Sequence, residues 1–198
     1  MSYKIDRRTL LAAGATLGLG AAFGSSALAQ QKVLLRLSSP VTPTDQRALG
    51  LEKYFAPAIA DFATYQPHYN ATLFKQGTEL EAIARGNLEM SIASAQELST
   101  IFPAWSIFTA GYLLRDAEHQ KKVFSSGVMD ELKKTTEDKL GVKLLSVMYL
   151  GKRHVNLRTD KEVKTPEDLA GVKLRMPNSE AWLFLGKALG ANPLPMAF

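Results

Sequence analysis

The sequence predicts an α/β fold, with a mainly parallel sheet covered by helices on both faces. Strand patterns and helix patterns alternate along the chain, which is the order that parallel strands and crossover helices require. Capping residues stand before several helix patterns, and glycine follows them. After residue 30, no apolar run approaches the roughly 20 residues that span a bilayer. We therefore expect a packed core between the sheet and its helices.

Alternating strands and helices cover residues 33 to 149. The predicted elements are a strand at 33–38, a helix at 46–62, a strand at 69–74, a short helix at 79–85, a strand at 89–93, a long polar helix at 116–139 and an apolar strand at 142–149. Pro57 should kink or split the first helix, because proline removes a backbone donor. Gly86 and Gly141 are predicted helix stops.

The last fifty residues repeat this order with clearer boundary signals. His154–Arg158 alternates like a half-buried strand, and Thr165–Asp168 forms a capping box with proline at the first helical position. Val172–Met176 is the next predicted strand. A helix then runs from a cap at Ser179 to Leu189, and Gly190 ends it.

The first 29 residues have the layout of a removable signal peptide. A short basic region is followed by the weakly apolar run 10–23, which is too short to span a membrane. Small residues at Ala27 and Ala29 fit a cleavage site. Asp6–Leu11 contains an arginine pair and resembles the twin-arginine export motif, with general secretion as the alternative route. Either route predicts a periplasmic protein cleaved near Ala29.

Composition excludes several classes of function. Removing the signal lowers the formal charge from +5 to +3, and the remaining lysines and arginines do not cluster, so a nucleic-acid partner is not expected. The chain has no cysteine, which excludes a disulfide partner and thiolate metal sites. The three histidines lack the spacing of a zinc pair, and no phosphate-binding loop is present. No cofactor is therefore predicted.

Arg175 is the candidate that the residues themselves single out. In the strand 172–176 the apolar side chains share one face, which leaves Arg175 on the other face, just before the helix start at Asn178 and Ser179. Ligands of open α/β sheets bind at the carboxyl ends of strands, and a guanidinium there can hold a carboxylate by two parallel hydrogen bonds. The competing interpretation is a surface arginine that binds nothing.

The same stretch carries a family resemblance. Gly171–Asn178 and Ala188–Phe198 resemble the signature of the extracytoplasmic solute receptors of TRAP transporters, the DctP-like family. Gln76–Glu79, Gly86–Met90 and Gly151–His154 resemble further landmarks of that family, in the right order. The resemblance covers essentially the whole chain after the signal.

The resemblance implies a two-lobe fold of the periplasmic-binding-protein type, class II. Residues 30–149 would form the first lobe and residues 150–198 the start of the second. In this family the lobes close over an organic acid and deliver it to TRAP membrane permease subunits. The ligand site implied for this sequence has Arg175 on the carboxylate, with Arg153 and Asn178 beside it and Glu79, Ser39 and Ser94 from the first lobe.

Two alternatives to a working receptor remain open at this point. Family members continue past the phenylalanine that matches Phe198, so the fold is expected to be incomplete at its carboxyl end, and the chain could be a non-functional truncated remnant. A twin-arginine-exported enzyme is the rival from another class, because that route commonly carries cofactor-loaded proteins. The lack of cysteine, of histidine clusters and of phosphate loops argues against it.

Overall fold

The first sheet has three parallel strands. The structure, a computed structural model, describes residues 32–197. Strands β1 (Val33–Ser38), β2 (Ala63–His68) and β3 (Met90–Ser91) lie in the order β2-β1-β3, and both pairings are parallel. The predicted α/β class and parallel direction are confirmed. Since the strands are parallel, their carboxyl ends meet at one edge of the sheet.

The first helix begins at a side-chain cap and changes its winding before Pro57. Asp45 caps α1 (Gln46–Gly50) by accepting a hydrogen bond from the Arg47 backbone N–H. A π-helical segment, Leu51–Phe55, follows and leads into α2 (Ala56–Ile59). Pro57 cannot donate to the carbonyl four residues earlier, and a wider turn absorbs this lost bond. The predicted effect of proline is thus confirmed, as a π-helical segment.

The predicted strand at 69–74 is wrong. Strand β2 ends at His68, and the chain then turns through Asn70 and Ala71, whose φ angles are +56° and +53°. The observed strand, 63–68, directly follows the predicted helix and contains Pro67, a residue type that argues against a strand, so it was not predicted. Pro67 is tolerated because β2 is an edge strand within residues 32–197, where it pairs with β1 alone.

Short helices surround a core built around one tryptophan. They are α3 (Glu79–Ala84), α4 (Ala95–Ile101), the 3-10 segment Pro103–Thr109, α5 (Ala117–Ser125), the 3-10 segment Gly127–Met129 and α6 (Asp130–Leu140). The long polar helix predicted at 116–139 is therefore two helices, because Ser126 is extended. Trp105 is 1% exposed, and the buried residues Leu80, Leu98, Met129 and Val142 cluster with it.

The segment after α6 does not form the two strands that its alternation predicts. Residues 142–164 contain no helix or strand, although strands are predicted at 142–149 and 154–158. Val142 packs on the core, but Leu145 and Leu150 are 70% and 61% exposed. A strand needs a hydrogen-bonded neighbour, and no strand of the described part of the chain lies beside this segment.

A second, two-stranded sheet follows. Thr165 and Asp168 form the predicted capping box at the 3-10 segment Pro166–Leu169. Strand β4 (Lys173–Met176), helix α7 (Glu180–Ala188) and strand β5 (Asn192–Pro195) complete a parallel β-α-β unit. Strand β4 and the Ser179 cap of α7 confirm the prediction. Strand β5 was not predicted, because the prolines at 193 and 195 argue against a strand. Among the described strands it pairs only with β4, so it can tolerate them.

Gly190 is expected to tolerate no side chain. Its φ is +84°, and a Cβ there would meet the Pro166 carbonyl oxygen, whereas Gly171 has φ +75° with open space around a Cβ. Gly171→Ala should cost about 1–2 kcal/mol from the left-handed backbone alone. Gly190→Ala should cost more, because a backbone atom must also move. Urea denaturation of the two variants tests this, and equal losses of unfolding free energy would contradict it.

No helix within residues 32–197 has the length and apolar character required to cross a bilayer. The predicted signal peptide, its arginine pair and its cleavage site lie outside the described residues.

Candidate ligand-binding site

Ser39 follows β1 directly and is fully buried. Its backbone N–H donates to the His68 carbonyl at 3.1 Å, and its carbonyl accepts from Ala71 at 3.0 Å. Its hydroxyl accepts from the Val41 N–H at 3.4 Å. These contacts fix the chain at the carboxyl edge of the first sheet. Ser39 thus lies where ligands of such sheets bind, with its hydroxyl already hydrogen-bonded to the backbone.

Glu79 begins α3 and is 4% exposed. One carboxylate oxygen, Oε2, accepts from the Gly77 backbone N–H at 2.7 Å, while Oε1 is buried and has no partner among the described residues. Burial raises the pKa of this carboxyl, and the charge of Glu97 raises it further. A buried acceptor without a donor is costly unless a ligand or water supplies one. Glu79 could therefore hydrogen-bond a hydroxyl group of a ligand.

Ser94 caps α4 through a reciprocal box with Glu97. The Ser94 backbone N–H and hydroxyl donate to Glu97 Oε2 at 2.6 and 2.9 Å, and the Ser94 hydroxyl accepts from the Glu97 N–H at 3.4 Å. The cap fixes the carboxylate of Glu97 at the start of this helix. The hydroxyl of Ser94 is thus committed to the cap in this structure.

Arg47 was not predicted as a site residue, and its positive charge acts on Arg153. Its Nε and one terminal nitrogen donate to the two oxygens of Asp45, both at 2.8 Å. The guanidinium lowers the pKa of Asp45 to about 2. The pKa of Arg47 is raised, mainly by Asp45 and more weakly by Glu97. The two-pronged pair fixes the direction of the Arg47 side chain.

Arg153 lies in the irregular segment and is stacked on an aromatic ring. Its Cζ atom is 4.9 Å from the ring centroid of Trp182, in the first turn of α7. Desolvation lowers the pKa of Arg153, and the positive charges of Arg175 and Arg47 lower it further. Arg175 itself is exposed near the end of β4. Arg175 and Arg47 thus both act electrostatically on Arg153, and the charge of Arg47 is already paired with Asp45.

Charge–charge interactions connect several of the predicted residues. Glu97 acts electrostatically on both Glu79 and Arg47, and Arg47 acts on Arg153. The positive side of the region comes from Arg153, Arg175 and Arg47, and its acidic side from Glu79 and the capping box of Ser94. Asn178 is exposed and stands just before the Ser179 cap of α7. Such an arrangement can bind an anion with hydroxyl groups.

A separate cavity of about 510 Å³ lies between the segment 103–111 and α7. It is lined by Ser106, Thr109, Ala110, Gly111, Glu180, Ala181, Phe184 and Leu185. None of the predicted site residues lines it, and its one charged residue is acidic. This cavity therefore does not suit a carboxylate. Within residues 32–197, no group of three or more histidine, aspartate or glutamate residues could hold a metal ion.

Comparison with known proteins identifies the family. The family model described as bacterial extracellular solute-binding protein, family 7 (DctP), matches residues 39–198. The chain belongs to this family. The resemblance noted in the sequence is confirmed, and the enzyme alternative is set aside because the family consists of substrate-binding receptors.

Known family 7 proteins resemble this chain in sequence and in fold. The 2,3-diketo-L-gulonate-binding periplasmic protein of Escherichia coli K12 is 29% identical over 181 residues, 90% of this chain and 54% of that protein. A TRAP periplasmic solute-binding protein of Roseobacter denitrificans, solved with bound 3-deoxy-D-manno-oct-2-ulosonic acid (KDO), is 65% identical, with a TM-score of 0.82. That match covers 84% of this chain and 56% of the solved chain.

A third relative widens the range of ligands. The TRAP solute-binding protein of Sulfurospirillum deleyianum, solved with succinate, is 25% identical, covers 84% of this chain and 54% of that chain, and has a TM-score of 0.75. These relatives confirm the two-lobe fold of the periplasmic-binding-protein type. The chain spans about half the length of the relatives it matches.

Sequence reasoning did not select three residues of the candidate region: Arg47, Glu97 and Trp182. Arg47 and Glu97 stand in short helices whose patterns resemble ordinary solvated faces. Trp182 lies four residues after Asn178, in a predicted helix where an aromatic residue is usually part of the core. The sequence held one local signal for a fixed Arg47 side chain, namely Asp45 two residues earlier, because a neighbouring carboxylate can hold a guanidinium in place.

The pH dependence of stability should report the buried carboxyl of Glu79. The pKa of the Glu79 carboxyl is raised above the ordinary 4.5, mainly by burial. Between pH 4.5 and this raised pKa, the folded chain keeps a proton that the unfolded chain has released. Stability from this group is full below pH 4.5 and is lost as pH rises through the folded pKa, by at most about 1.4 kcal/mol per pH unit. Glu79→Gln should remove this slope, measured by urea denaturation between pH 4 and 8.

The matched control for Glu79→Gln is Glu131→Gln, because Glu131 is an exposed helix residue. It should keep the slope of the wild-type chain. A Glu79→Gln variant with the same pH slope as the wild type would show that Glu79 ionises normally in the folded chain.

Proposed function

We propose that this chain is the ligand-binding part of a TRAP receptor that captures a sugar acid outside the cytoplasm and delivers it to a membrane permease. The observation that carries this proposal is the 65% identity to a receptor solved with KDO, a keto sugar acid. The arginine neighbourhood supports it, since a carboxylate needs cationic partners. The unpartnered oxygen of Glu79 supports a ligand with hydroxyl groups.

In this proposal Arg175 pairs with the ligand carboxylate at the end of β4. Arg153 and Asn178 contact the ligand from the same lobe, while Glu79, Ser39 and Ser94 serve from the first lobe. The first lobe would comprise residues 30–149, and the second would begin at residue 150. A ligand that contacts both lobes only when they are closed shifts the population towards the closed form.

We also propose that the first 29 residues direct export, by the twin-arginine route, with cleavage near Ala29. The ligand would then meet the receptor in the periplasm. Mass spectrometry of protein recovered from the periplasm tests the cleavage site, and a mature chain beginning elsewhere than Gln30 contradicts it. Replacement of Arg7 and Arg8 by lysine should stop export if the twin-arginine route is used.

Ligand binding tests the function directly. Residues 30–198 are titrated by calorimetry with KDO, with D-gluconate as a sugar acid that lacks the keto group, and with succinate as a dicarboxylate. We expect saturable binding of KDO and weaker binding of succinate. Tighter binding of succinate would contradict the proposed sugar acid and indicate a dicarboxylate ligand instead. Heats no larger than those of dilution for all three compounds would reject the proposed function.

A further inference from the structure

The stacking of Arg153 on Trp182 differs from the way other arginines in the structure are held. Arg36, Arg47 and Arg85 each pair with a carboxylate, at Glu89, Asp45 and Glu81 respectively. Arg153 has no carboxylate partner among the described residues. Its contact is the ring of Trp182, at 4.9 Å from the centroid, which is within the range of a cation–π interaction.

An aromatic partner leaves a guanidinium free for an anion. A carboxylate partner occupies the N–H edge and neutralises the charge, so it competes with an anionic ligand. An aromatic ring does not neutralise the guanidinium, so the positive charge can still attract an anion. The positive charges of Arg175 and Arg47 disfavour the cation of Arg153 and contribute to the lowering of its pKa.

Trp182 is fixed to the element that follows Arg175. Its backbone N–H donates to the Ser179 hydroxyl at 3.4 Å, which places it in the capped first turn of α7. Helix α7 follows strand β4 after three residues. The ring of Trp182 therefore links the irregular segment that carries Arg153 to the β4–α7 connection.

The geometry points to Trp182 as a positioning residue that holds the Arg153 guanidinium beside the β4–α7 connection, so that Arg153 and Arg175 act on one carboxylate ligand. This inference rests on the proposed function for the identity of the ligand. It does not require Trp182 to touch the ligand. Without the ring, the Arg153 guanidinium loses the contact that fixes its place, and the ligand loses one of its two proposed cationic partners.

Calorimetric titration with KDO compares Trp182→Leu, Trp182→Phe and the control Phe184→Leu, whose side chain is 75% exposed on the same helix. Trp182→Leu should weaken binding about 5- to 30-fold, the range of a partly desolvated cation–π contact. Trp182→Phe should keep most of the affinity, because phenylalanine retains an aromatic face. Phe184→Leu should bind as the wild type does.

A double-mutant cycle separates positioning from general damage to the fold. In the Arg153→Ala background, Trp182→Leu should change the affinity by less than 2-fold, because the residue it positions is gone. An equal loss in both backgrounds, or wild-type affinity of Trp182→Leu, would overturn the inference and leave the proposed function intact. The melting temperature without ligand shows whether each variant folds.

A measurement without ligand tests the contact between Arg153 and Trp182 independently of the proposed function. The chain has two tryptophans, and Trp105 is buried, so added acrylamide mainly quenches Trp182 fluorescence. Arg153→Ala should increase this quenching by uncovering the ring, while Arg158→Ala should not. If the wild type does not bind KDO but this difference is observed, the proposed function fails and the positioning contact is supported. Equal quenching in all three proteins would overturn the contact.

Discussion

Replacement of Trp105 by alanine is expected to lower the free energy of unfolding by about 3–5 kcal/mol, the usual cost of removing a large buried aromatic side chain. Trp105 is 1% exposed, and its ring packs against Phe108 and Phe124 with centroid distances of 5.6 and 6.5 Å. The smaller side chain leaves a cavity at the centre of the core cluster around Trp105. Urea denaturation followed by circular dichroism measures the loss.

The indole of Trp105 also has a polar requirement. Its Nε1 donates to the Thr136 hydroxyl at 2.8 Å, and that hydroxyl donates to the Leu132 carbonyl at 2.7 Å. Thr136→Val keeps the shape and leaves the indole N–H without its acceptor, which should cost about 1–3 kcal/mol. Thr100→Val, at an exposed helix position, is the control and should change little.

A loss of unfolding free energy below 1 kcal/mol in Trp105→Ala would show that the cluster around Trp105 does not form the core.

Local signals predicted the boundaries of several elements correctly. Thr165 and Ser179 were predicted as caps and act as caps, and Gly190 was predicted as a stop and has a positive φ. A cap depends on side chains within three residues of the helix start, so the sequence itself contains the information. The capping box of Ser94 had the same form but was not identified, because the short helix that it begins has little apolar periodicity.

Strand predictions failed where pairing decides the outcome. Residues 142–149 alternate and are strongly apolar, but they lie beside no strand of the described chain. Residues 192–195 contain two prolines, yet β5 forms because it needs to pair only with β4. The position of a strand depends on distant segments of the chain, and a single sequence carries no direct record of them.

The residues of the candidate site also divide into those that the local sequence indicates and those that only folding brings together. Arg175 could be proposed from its strand and the helix start that follows, because both are local. Arg153 and Glu79 were proposed only through the family resemblance. Nothing in the sequence brings Arg47 or Trp182 to the same region, since the chain between residues 47 and 153 must fold first. Electrostatic neighbours and stacked rings are properties of the folded chain.

If the proposed function holds, removal of the Arg175 guanidinium is expected to weaken sugar-acid binding more than any other single change within residues 150–198. A charge-assisted hydrogen-bonding contact contributes about 1.5–3 kcal/mol, which corresponds to about 10- to 150-fold in the dissociation constant. Arg175→Ala should therefore weaken KDO binding by this factor in calorimetry. Arg175→Lys should recover part of the loss, because lysine restores the charge but cannot form the two parallel hydrogen bonds.

Arg158→Ala is the charge-matched control for this prediction, since Arg158 is an exposed arginine of the same half of the chain. It removes the same long-range attraction for an anion but no proposed contact, so it should lower the affinity less than 2-fold. Repeating both titrations at 50 and 300 mM salt distinguishes the two effects, because screening weakens a distant charge far more than a direct contact. Undiminished KDO binding by Arg175→Ala, or equal losses in the two variants, would show that the ligand carboxylate lies elsewhere in the molecule.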